Sequence, residues 1–282
     1  MKLQISLLAL ASLVVMTQPA LAGCHSDPTP NLINSRLATG TTFLCNQHYS
    51  VLYSSVTHGP LWAAETLTAH DVEQGMSITR SSIFLADPRL LSDGAPELVD
   101  YHQSGYDRGH MVPSHDEPDH VSQSETFYLS NIVPQTAALN RGIWTGIEMA
   151  TRDLALQHGT VEVVTGPGFG DAIETIGPDQ VFVPESTWKA LYVPSLHRGG
   201  AYVCANVKKR PACYTETIAA LTKQIGIDPF PDMPAASRDL AYDLPRPEHS
   251  PYTPNADLDD DEKTVKSVVR GWVKEWKDKL EK

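Results

Sequence analysis

The sequence is poor in positive charge. Its 282 residues include 22 lysines and arginines against 34 aspartates and glutamates, which gives a formal net charge of −12. Contacts with phosphate groups supply most of the affinity in nonspecific binding of nucleic acids, so a net negative protein binds such polyanions poorly. The composition therefore excludes a broad basic binding surface. Any chemistry on a polyanion has to depend on a local positive site.

Several familiar signatures are also missing. After the N-terminus there is no apolar run of about 18 residues, the length of a membrane helix, so no stable membrane insertion is expected. The sequence contains no GxSxG motif of serine hydrolases and no HExxH or CxxC motif of zinc sites. Without such motifs, the closely spaced His102, His110, His115 and His120 are weak evidence for zinc. The hydrophobic content of 41% is sufficient for a sizeable core and excludes global disorder.

The first 22 residues have the pattern of a cleavable export signal. Met1-Lys2 provides a positive start, residues 3–16 are almost wholly apolar, and Ala20 and Ala22 are small residues before a cleavage site. The pattern predicts a signal peptide over residues 1–22 and an exported protein, periplasmic or secreted. The alternative is a lipoprotein that is anchored through a lipidated Cys24.

The chain has only four cysteines, and all of them follow the predicted signal peptide. An even number of cysteines in an oxidising compartment predicts two disulfides, and the spacings favour Cys24–Cys45 and Cys204–Cys213. The first disulfide would tie down an N-terminal arm, residues 23–47. Lipidation of Cys24 would leave Cys45 without a partner, which favours the disulfide.

Residues 23–282 are predicted to form a single domain of the α+β class. Strand patterns alternate irregularly with helix patterns, which favours a mixed, mainly antiparallel sheet flanked by helices. The predicted strands are residues 48–57, 61–67, 161–165, 188–193 and 201–207. Residues 127–133 are predicted to form a short buried segment that ends at Pro134. The predicted helices are residues 137–158, ended by Gly159, residues 215–225, and an amphipathic closing helix at 264–280.

The segment Asp107-Arg108-Gly109-His110 combines groups that suit phosphate chemistry. His110 is a natural general base because the ordinary pKa of histidine lies near neutral pH. Arg108 can hold a phosphate with a fork of donors, and Gly109 permits a close approach. Taken alone, the four residues are equally compatible with a salt-bridged turn that ends in a surface histidine.

The predicted helix 137–158 adds oxygen ligands. At about 100° per residue, Asn140 and Glu148 lie within roughly 80° of each other, on one side of the helix near its start. An amide oxygen and a carboxylate suit Mg²⁺, which keeps several of its waters in proteins. The alternatives are a capping role for Asn140 and an ordinary helical ion pair between Glu148 and Arg152.

Together these segments resemble the DNA/RNA non-specific endonucleases, which are ββα-metal nucleases. The spacing is part of the resemblance, since 30 positions separate His110 from Asn140 and 8 separate Asn140 from Glu148. It extends less distinctly over residues 49–207. The matching segments are Asp107-Arg108-Gly109-His110, residues 127–135, Leu139-Asn140, Trp144 and Glu148.

The resemblance implies a sugar- and sequence-non-specific endonuclease that cuts DNA and RNA to 5′-phosphate ends. It implies that His110 is the general base, that Asn140 is the single direct protein ligand of Mg²⁺, and that Glu148 holds a metal-bound water. Mn²⁺ is the expected substitute metal. The resemblance further implies a catalytic role for Arg108 and substrate binding by Arg80 and Arg152. Asn131 and Gln135 match positions on the substrate side that shape the pocket in a supporting role.

Two other functions stay open at this point. One is a zinc-dependent phosphoesterase, and the other is a non-catalytic nucleic-acid-binding protein, which the acidic balance disfavours. The basic run Lys208-Lys209-Arg210 is compatible with guiding nucleic acid, although exposed charges at the tip of a disulfide-closed hairpin are the simpler interpretation. A homodimer is compatible with the sequence and is not determined by it.

Overall fold

The computed structural model describes residues 27–90 and 95–247. The predicted signal peptide 1–22, Cys24 and the predicted helix 264–280 lie outside the described residues. The assignment of residues 23–282 to one domain therefore stays a prediction.

The main sheet has seven strands, and every neighbouring pair in it is antiparallel, in the order β12-β11-β10-β7-β4-β3-β2. The strands of the described residues are β1 (Asn31–Leu32), β2 (Thr41–Cys45), β3 (Tyr49–Ser54), β4 (Gly59–Thr68), β5 (Asp107–His110), β6 (Ile132–Gln135), β7 (Thr160–Gly168), β8 (Glu174–Ile176), β9 (Val181–Val183), β10 (Ser186–Val193), β11 (Arg198–Ala205), β12 (Cys213–Glu216) and β13 (Ile227–Asp228). Strands β1 and β13, β5 and β6, and β8 and β9 form three separate pairs.

Helices flank this sheet. In the described residues they are α1 (Ala69–Gly75), α2 (Leu98–Tyr101), α3 (His120–Glu125), α4 (Thr145–His158), α5 (Ile218–Ile225) and α6 (Ala235–Arg238), with a wide helical turn over Leu139–Trp144. The predicted α+β class, with a mainly antiparallel sheet and flanking helices, is confirmed. No helix in the described part of the chain is long and apolar enough to cross a membrane.

The central strand β7 is covered on both faces, which explains its valine-rich sequence. Val164 belongs to the apolar cluster that contains Ile218 and Leu221 of α5. Val161 and Val163 belong to the cluster on the other face, with residues of α4 and the wide turn. A strand buried on both faces has a nearly continuous apolar sequence. The candidate site lies on the α4 side of the sheet.

The structure corrects the predicted helix 137–158. The backbone of Gly142 (φ −100°, ψ −114°) is not helical, so the chain forms the wide turn first and begins a regular helix only at Thr145. The hydroxyl of Thr145 donates to the carbonyl oxygen of Asn140 (2.9 Å) across this break. Asn140 and Glu148 therefore lie on two helical segments, and the argument from a single helix face does not apply.

Three smaller predictions are also corrected. Thr41–Cys45, expected in a separate arm, forms the edge strand β2. Pro134, expected to end its segment, lies within β6, where the pairing partner β5 belongs to a sheet of only two strands and tolerates the missing N–H. Residues 215–216 belong to β12, because the Thr217 side chain caps α5 by accepting from the Ala220 N–H (3.2 Å).

The disulfide Cys204–Cys213 joins β11 to β12 where the two residues face each other in the ladder. Cys45 is also disulfide-bonded, and its predicted partner Cys24 is outside the described residues.

Replacing Gly159 with alanine should destabilise the fold. Gly159 ends α4 at φ +85°, and a Cβ there would meet no atom within 4 Å, so the cost is purely conformational. We expect Gly159→Ala to lower the free energy of unfolding by about 1 kcal/mol in urea denaturation. Gly59→Ala is the matched control and should lose less, because the φ of Gly59 is not in the positive region and a Cβ there would meet its nearest atom at 3.8 Å, an ordinary contact. Equal stability of the alanine variant and the wild type would contradict this account.

Candidate active site

The pair β5–β6 holds the first half of the site. Asp107 pairs with Gln135 and His110 pairs with Ile132, so the segment 107–110 is an ordered strand. Gly109 is required here because a Cβ would overlap the Gln135 side chain. Packing against Gln135 therefore explains why a glycine lies between Arg108 and His110.

Asn131 and Gln135, predicted on the substrate side, are fully buried and line neither cavity described below. Asn131 accepts from the Val112 N–H (3.1 Å) and donates to the carbonyls of Val112 and Thr126 (both 3.0 Å). It therefore fixes the backbone that follows His110. Gln135 packs beneath Gly109. Their burial agrees with the supporting, pocket-shaping role that the resemblance implies, and a contact with substrate stays a prediction.

His110 lies between two aromatic rings. Its ring centroid is 5.4 Å from that of Phe84 and 4.9 Å from that of Phe127. The Nε2 atom is buried and has no hydrogen-bond partner among the described residues. Burial, reinforced by Arg80, Arg108 and His115, lowers the pKa of His110 to about 3. The imidazole is therefore neutral at neutral pH and able to accept a proton.

Asp107 orients Asn140. Its Oδ2 accepts from Nδ2 of Asn140 (3.1 Å) and Nε of Arg141 (2.8 Å), and its Oδ1 accepts from Nη2 of Arg141 (2.7 Å). Burial alone would raise the pKa of Asp107, but the hydrogen bonds from Arg141 and Asn140 outweigh it and lower the pKa. The amide oxygen of Asn140 accepts no hydrogen bond within the described chain, which leaves it available as a ligand.

Glu148 is half-buried, and no described residue donates a hydrogen bond to its carboxylate. The predicted alternative, an ion pair with Arg152, is not formed, because Arg152 pairs with the buried Asp116 (2.7 Å). Burial raises the pKa of Glu148 to about 7, against the opposing effects of Arg152 and Lys189. A nearby cation would favour the ionised carboxylate.

One cavity of about 900 Å³, which we name the main cavity, brings most of the predicted site residues together. A second cavity of about 530 Å³, the side pocket, adjoins it and shares Arg80, Arg108, Asn140 and Arg141 with it. The main cavity is lined by, among others, Arg80, Arg108, His110, Asn140, Glu148 and Arg152.

The arginines of the main cavity are of two kinds. Arg141 and Arg152 are paired with aspartates. Arg80 and Arg108 instead lie over aromatic rings, 5.0 Å from the centroid of Phe127 and 4.2 Å from that of Phe84. Neither forms an ion pair within the described ranges. Their charge supplies the local positive potential that an acidic protein needs in order to bind phosphate.

The ligands present fit a hard divalent cation. An amide oxygen and a carboxylate, both without protein donors, face one cavity, and such oxygen ligands suit Mg²⁺ with several waters. Within residues 27–90 and 95–247, no group of three or more histidine, cysteine, aspartate or glutamate side chains is arranged to hold a metal. The zinc alternative therefore has no support in this part of the chain.

Several residues of the site were not predicted from the sequence. Phe84 and Phe127 surround His110, Arg141 and Asp116 provide the ion pairs, and Lys189 lies fully buried under the site. Its Nζ donates to Oγ1 of Thr165 (2.7 Å) and to the carbonyl of Met111 (3.4 Å). The sequence did offer one signal for Lys189, because it is a charged residue inside the otherwise largely apolar strand predicted at 188–193. The aromatic rings came from distant segments and gave no local signal.

Comparisons with known proteins agree with this geometry. A family model described as DNA/RNA non-specific endonuclease matches residues 27–236. The chain therefore belongs to the DNA/RNA non-specific endonuclease family. In a search of solved structures it resembles a chain in the "Crystal structure of the EndoG/EndoGI complex: Mechanism of EndoG inhibition", with a TM-score of 0.58 and 27% identity, over 66% of this chain and 84% of that one.

Curated relatives show the same likeness. "Nuclease 1, mitochondrial" of Schizosaccharomyces pombe is 37% identical over 124 residues, which are 43% of this chain and 38% of that protein. "Nuclease EXOG, mitochondrial" of Homo sapiens is 34% identical over 164 residues, 54% and 44% of the two chains. "Nuclease C1" of Cunninghamella echinulata is 33% identical over 186 residues, 60% and 73%. The alignment spans less than half the length of the first two relatives.

The relatives contradict the expected export of the protein. The S. pombe and human proteins are described as mitochondrial, and not as periplasmic or secreted. The prediction of export was wrong. The prediction of export depended only on the apolar pattern of residues 1–22, which lie outside the described residues. No property of the folded domain supported it.

Loss of the Asp107 charge should weaken metal binding. Asp107→Asn keeps the size of the side chain but removes the charge that orients Asn140. We expect a 10- to 100-fold lower affinity, on the order seen when partners of a metal ligand are removed, measured by Mn²⁺ titration with electron paramagnetic resonance. Arg141→Gln is the matched control, which leaves the Asp107–Asn140 hydrogen bond in place and should change the affinity less. Unchanged Mn²⁺ affinity in Asp107→Asn would refute this role.

The buried His110 should make the protein sensitive to acid. Because its pKa is lowered from 6.5 to about 3 in the fold, the unfolded chain binds more protons between these values, so stability falls as the pH decreases through this window. His110→Asn removes the titrating group, and its free energy of unfolding should fall less steeply from pH 6.5 to pH 4. Parallel pH profiles for the variant and the wild type, from urea denaturation, would contradict the pKa shift.

Proposed function

We propose that this protein is a metal-dependent endonuclease that hydrolyses phosphodiester bonds in DNA and RNA, without preference for sequence or sugar, and leaves 5′-phosphate ends. One observation carries the proposal. A neutral imidazole, a free amide oxygen, a free carboxylate and two unpaired arginines face a single cavity.

His110 acts as the general base in this proposal. It is neutral at working pH and lies on the rim of the cavity in which the phosphate would be bound. A proton taken from water by the imidazole creates a positive charge, which the bound phosphate stabilises. The phosphate charge also offsets the effects of Arg80 and Arg108, which otherwise lower the pKa of His110.

Asn140 and Glu148 are the residues that would hold the cation, Asn140 directly and Glu148 through a bound water. Mg²⁺ is the proposed metal, and Mn²⁺ its substitute. When bound, the metal supplies positive charge that stabilises the phosphate oxygens and the leaving oxygen. Asp107 keeps the Asn140 amide oriented with its oxygen available.

Arg80 and Arg108 would bind the phosphate. Contacts with phosphates position a nucleic acid without reading its sequence. Because the cationic groups of the main cavity are arginines suited to phosphate, cleavage without sequence specificity follows from the geometry. Relatives named as nucleases support the same activity.

Incubation of the purified protein with plasmid DNA and with RNA tests this function. We expect both to be shortened in Mg²⁺ or Mn²⁺ and to stay intact in excess EDTA. His110→Ala should lose most of the activity while remaining folded. His120→Ala is the matched control, since His120 is exposed and lies outside both cavities, and it should cut like the wild type.

The products separate the alternatives. Fragments with 5′-phosphates are labelled by polynucleotide kinase only after phosphatase treatment. A protein that retains nucleic acid without shortening it would be a binding protein, and one that cleaves only phosphate monoesters would be a phosphoesterase of another kind. Full cleavage by His110→Ala, or in EDTA, would overturn the mechanism.

A further inference from the structure

The side pocket has a different chemistry from the main cavity. Its volume of about 530 Å³ lies in the roughly 300–1,000 Å³ range of small-molecule sites. Besides the four residues it shares with the main cavity, it is lined by three aromatic rings, two exposed polar side chains, one leucine and one carboxylate. These are Phe84, Tyr101, Tyr106, His102, Gln103, Leu98 and Asp107.

We propose that the side pocket is a nucleobase subsite. It accepts an unpaired base from the strand whose phosphate lies in the main cavity, and it makes the enzyme prefer single-stranded nucleic acid. This inference rests on the proposed function and adds a substrate preference to it.

Tyr106 provides the stacking surface. Its ring is half-buried, its hydroxyl donates to Oε1 of Glu174 (2.8 Å), and Nζ of Lys208 lies 5.6 Å from the ring centroid. The ring is therefore held in place before any ligand arrives. Stacking on an aromatic ring suits every base, because each base has a π face. The other two rings are less available. Tyr101 is almost fully buried, and the cation that lies over Phe84 is Arg108, which itself lines the pocket, whereas Lys208, the cation over Tyr106, does not line it.

The turn that follows Tyr101 provides polar groups. His102 and Gln103 are exposed at the pocket, and Gln103 has a φ of +53°, a conformation that non-glycine residues rarely adopt. The hydroxyl of Ser104 donates to the Tyr101 carbonyl (3.1 Å) and braces this turn. The amide of Gln103 and the imidazole of His102 can form hydrogen bonds with the edge of a base, whereas the face of the Tyr106 ring can only stack on it.

The position of the pocket explains the preference for single strands. Arg108 and Asn140 line both cavities, so a phosphate in the main cavity places the adjoining nucleotide at the mouth of the side pocket. A base in a duplex has to unstack and to break its base pair before it can enter the pocket. This costs free energy, and an unpaired base does not pay the cost of unpairing. Lys208, predicted as an exposed charge at the tip of a disulfide-closed hairpin, is exposed between β11 and β12, and its Nζ lies over the Tyr106 ring.

Removal of the Tyr106 ring tests the subsite. We expect Tyr106→Leu to lower kcat/KM on a single-stranded oligonucleotide by roughly 5- to 100-fold, the range for the loss of one base–aromatic stack. The same sequence in a duplex should be cut almost as before. Tyr106→Phe keeps the ring and should retain the preference. An equal loss on both substrates, or no loss on either, would overturn the proposal.

The binding of small ligands gives a second test of the subsite, one that does not depend on cleavage. Adenosine 5′-monophosphate carries a base and ribose 5-phosphate does not, so the former should bind the wild-type protein at least 5-fold more tightly in calorimetry. The difference should disappear in Tyr106→Leu. Equal affinities in the wild type would refute the base subsite. Because this measurement needs no turnover, it separates a failure of the subsite from a failure of the proposed nuclease activity, which the plasmid and RNA assays report.

Discussion

The candidate active site depends on the carboxylate of Asp107, which joins two parts of the chain that are more than 30 residues apart. It begins the strand that carries His110, and it receives three hydrogen bonds from Asn140 and Arg141. His110 and Asn140 are therefore held relative to each other by one four-residue strand and one side chain. Asp107 retains its charge in a half-buried place because both of its carboxylate oxygens accept hydrogen bonds.

The same site resolves the conflict between an acidic protein and a polyanionic substrate. Asp107 and Asp116 neutralise Arg141 and Arg152, and these pairs stabilise the walls of the main cavity. Arg80 and Arg108 are supported by aromatic rings, which leave their charge unneutralised. The unneutralised positive charge of the main cavity is thus concentrated on two side chains, while the chain as a whole has a net charge of −12. Affinity for substrate should accordingly depend more on these two side chains than on the net charge.

Much of this arrangement was readable from the sequence, and the limits have physical causes. The α+β class followed from local patterns, and the spacing of His110, Asn140 and Glu148 identified the family. The strand that carries His110 was not predicted, because its four residues are ordered by their pairing with β6 in the fold. The break at Gly142 did not follow, because a lone glycine is tolerated within helices and seldom interrupts them. The aromatic surroundings of His110 did not follow either, since Phe84 and Phe127 reach it only through tertiary packing. For Asn131 and Gln135 the motif showed that they matter, but only the fold showed that they act from beneath the site.

The interrupted helix has a consequence for transplanting this chemistry. The step of eight positions from Asn140 to Glu148 combines a wide turn, a non-helical glycine and the first turn of α4, so it does not correspond to a fixed rotation about one axis. A scaffold that offers the two side chains on an unbroken helix would place them about 80° apart in projection and some 12 Å apart along the axis. To reproduce the site, a designer would have to copy the break as well as the residues.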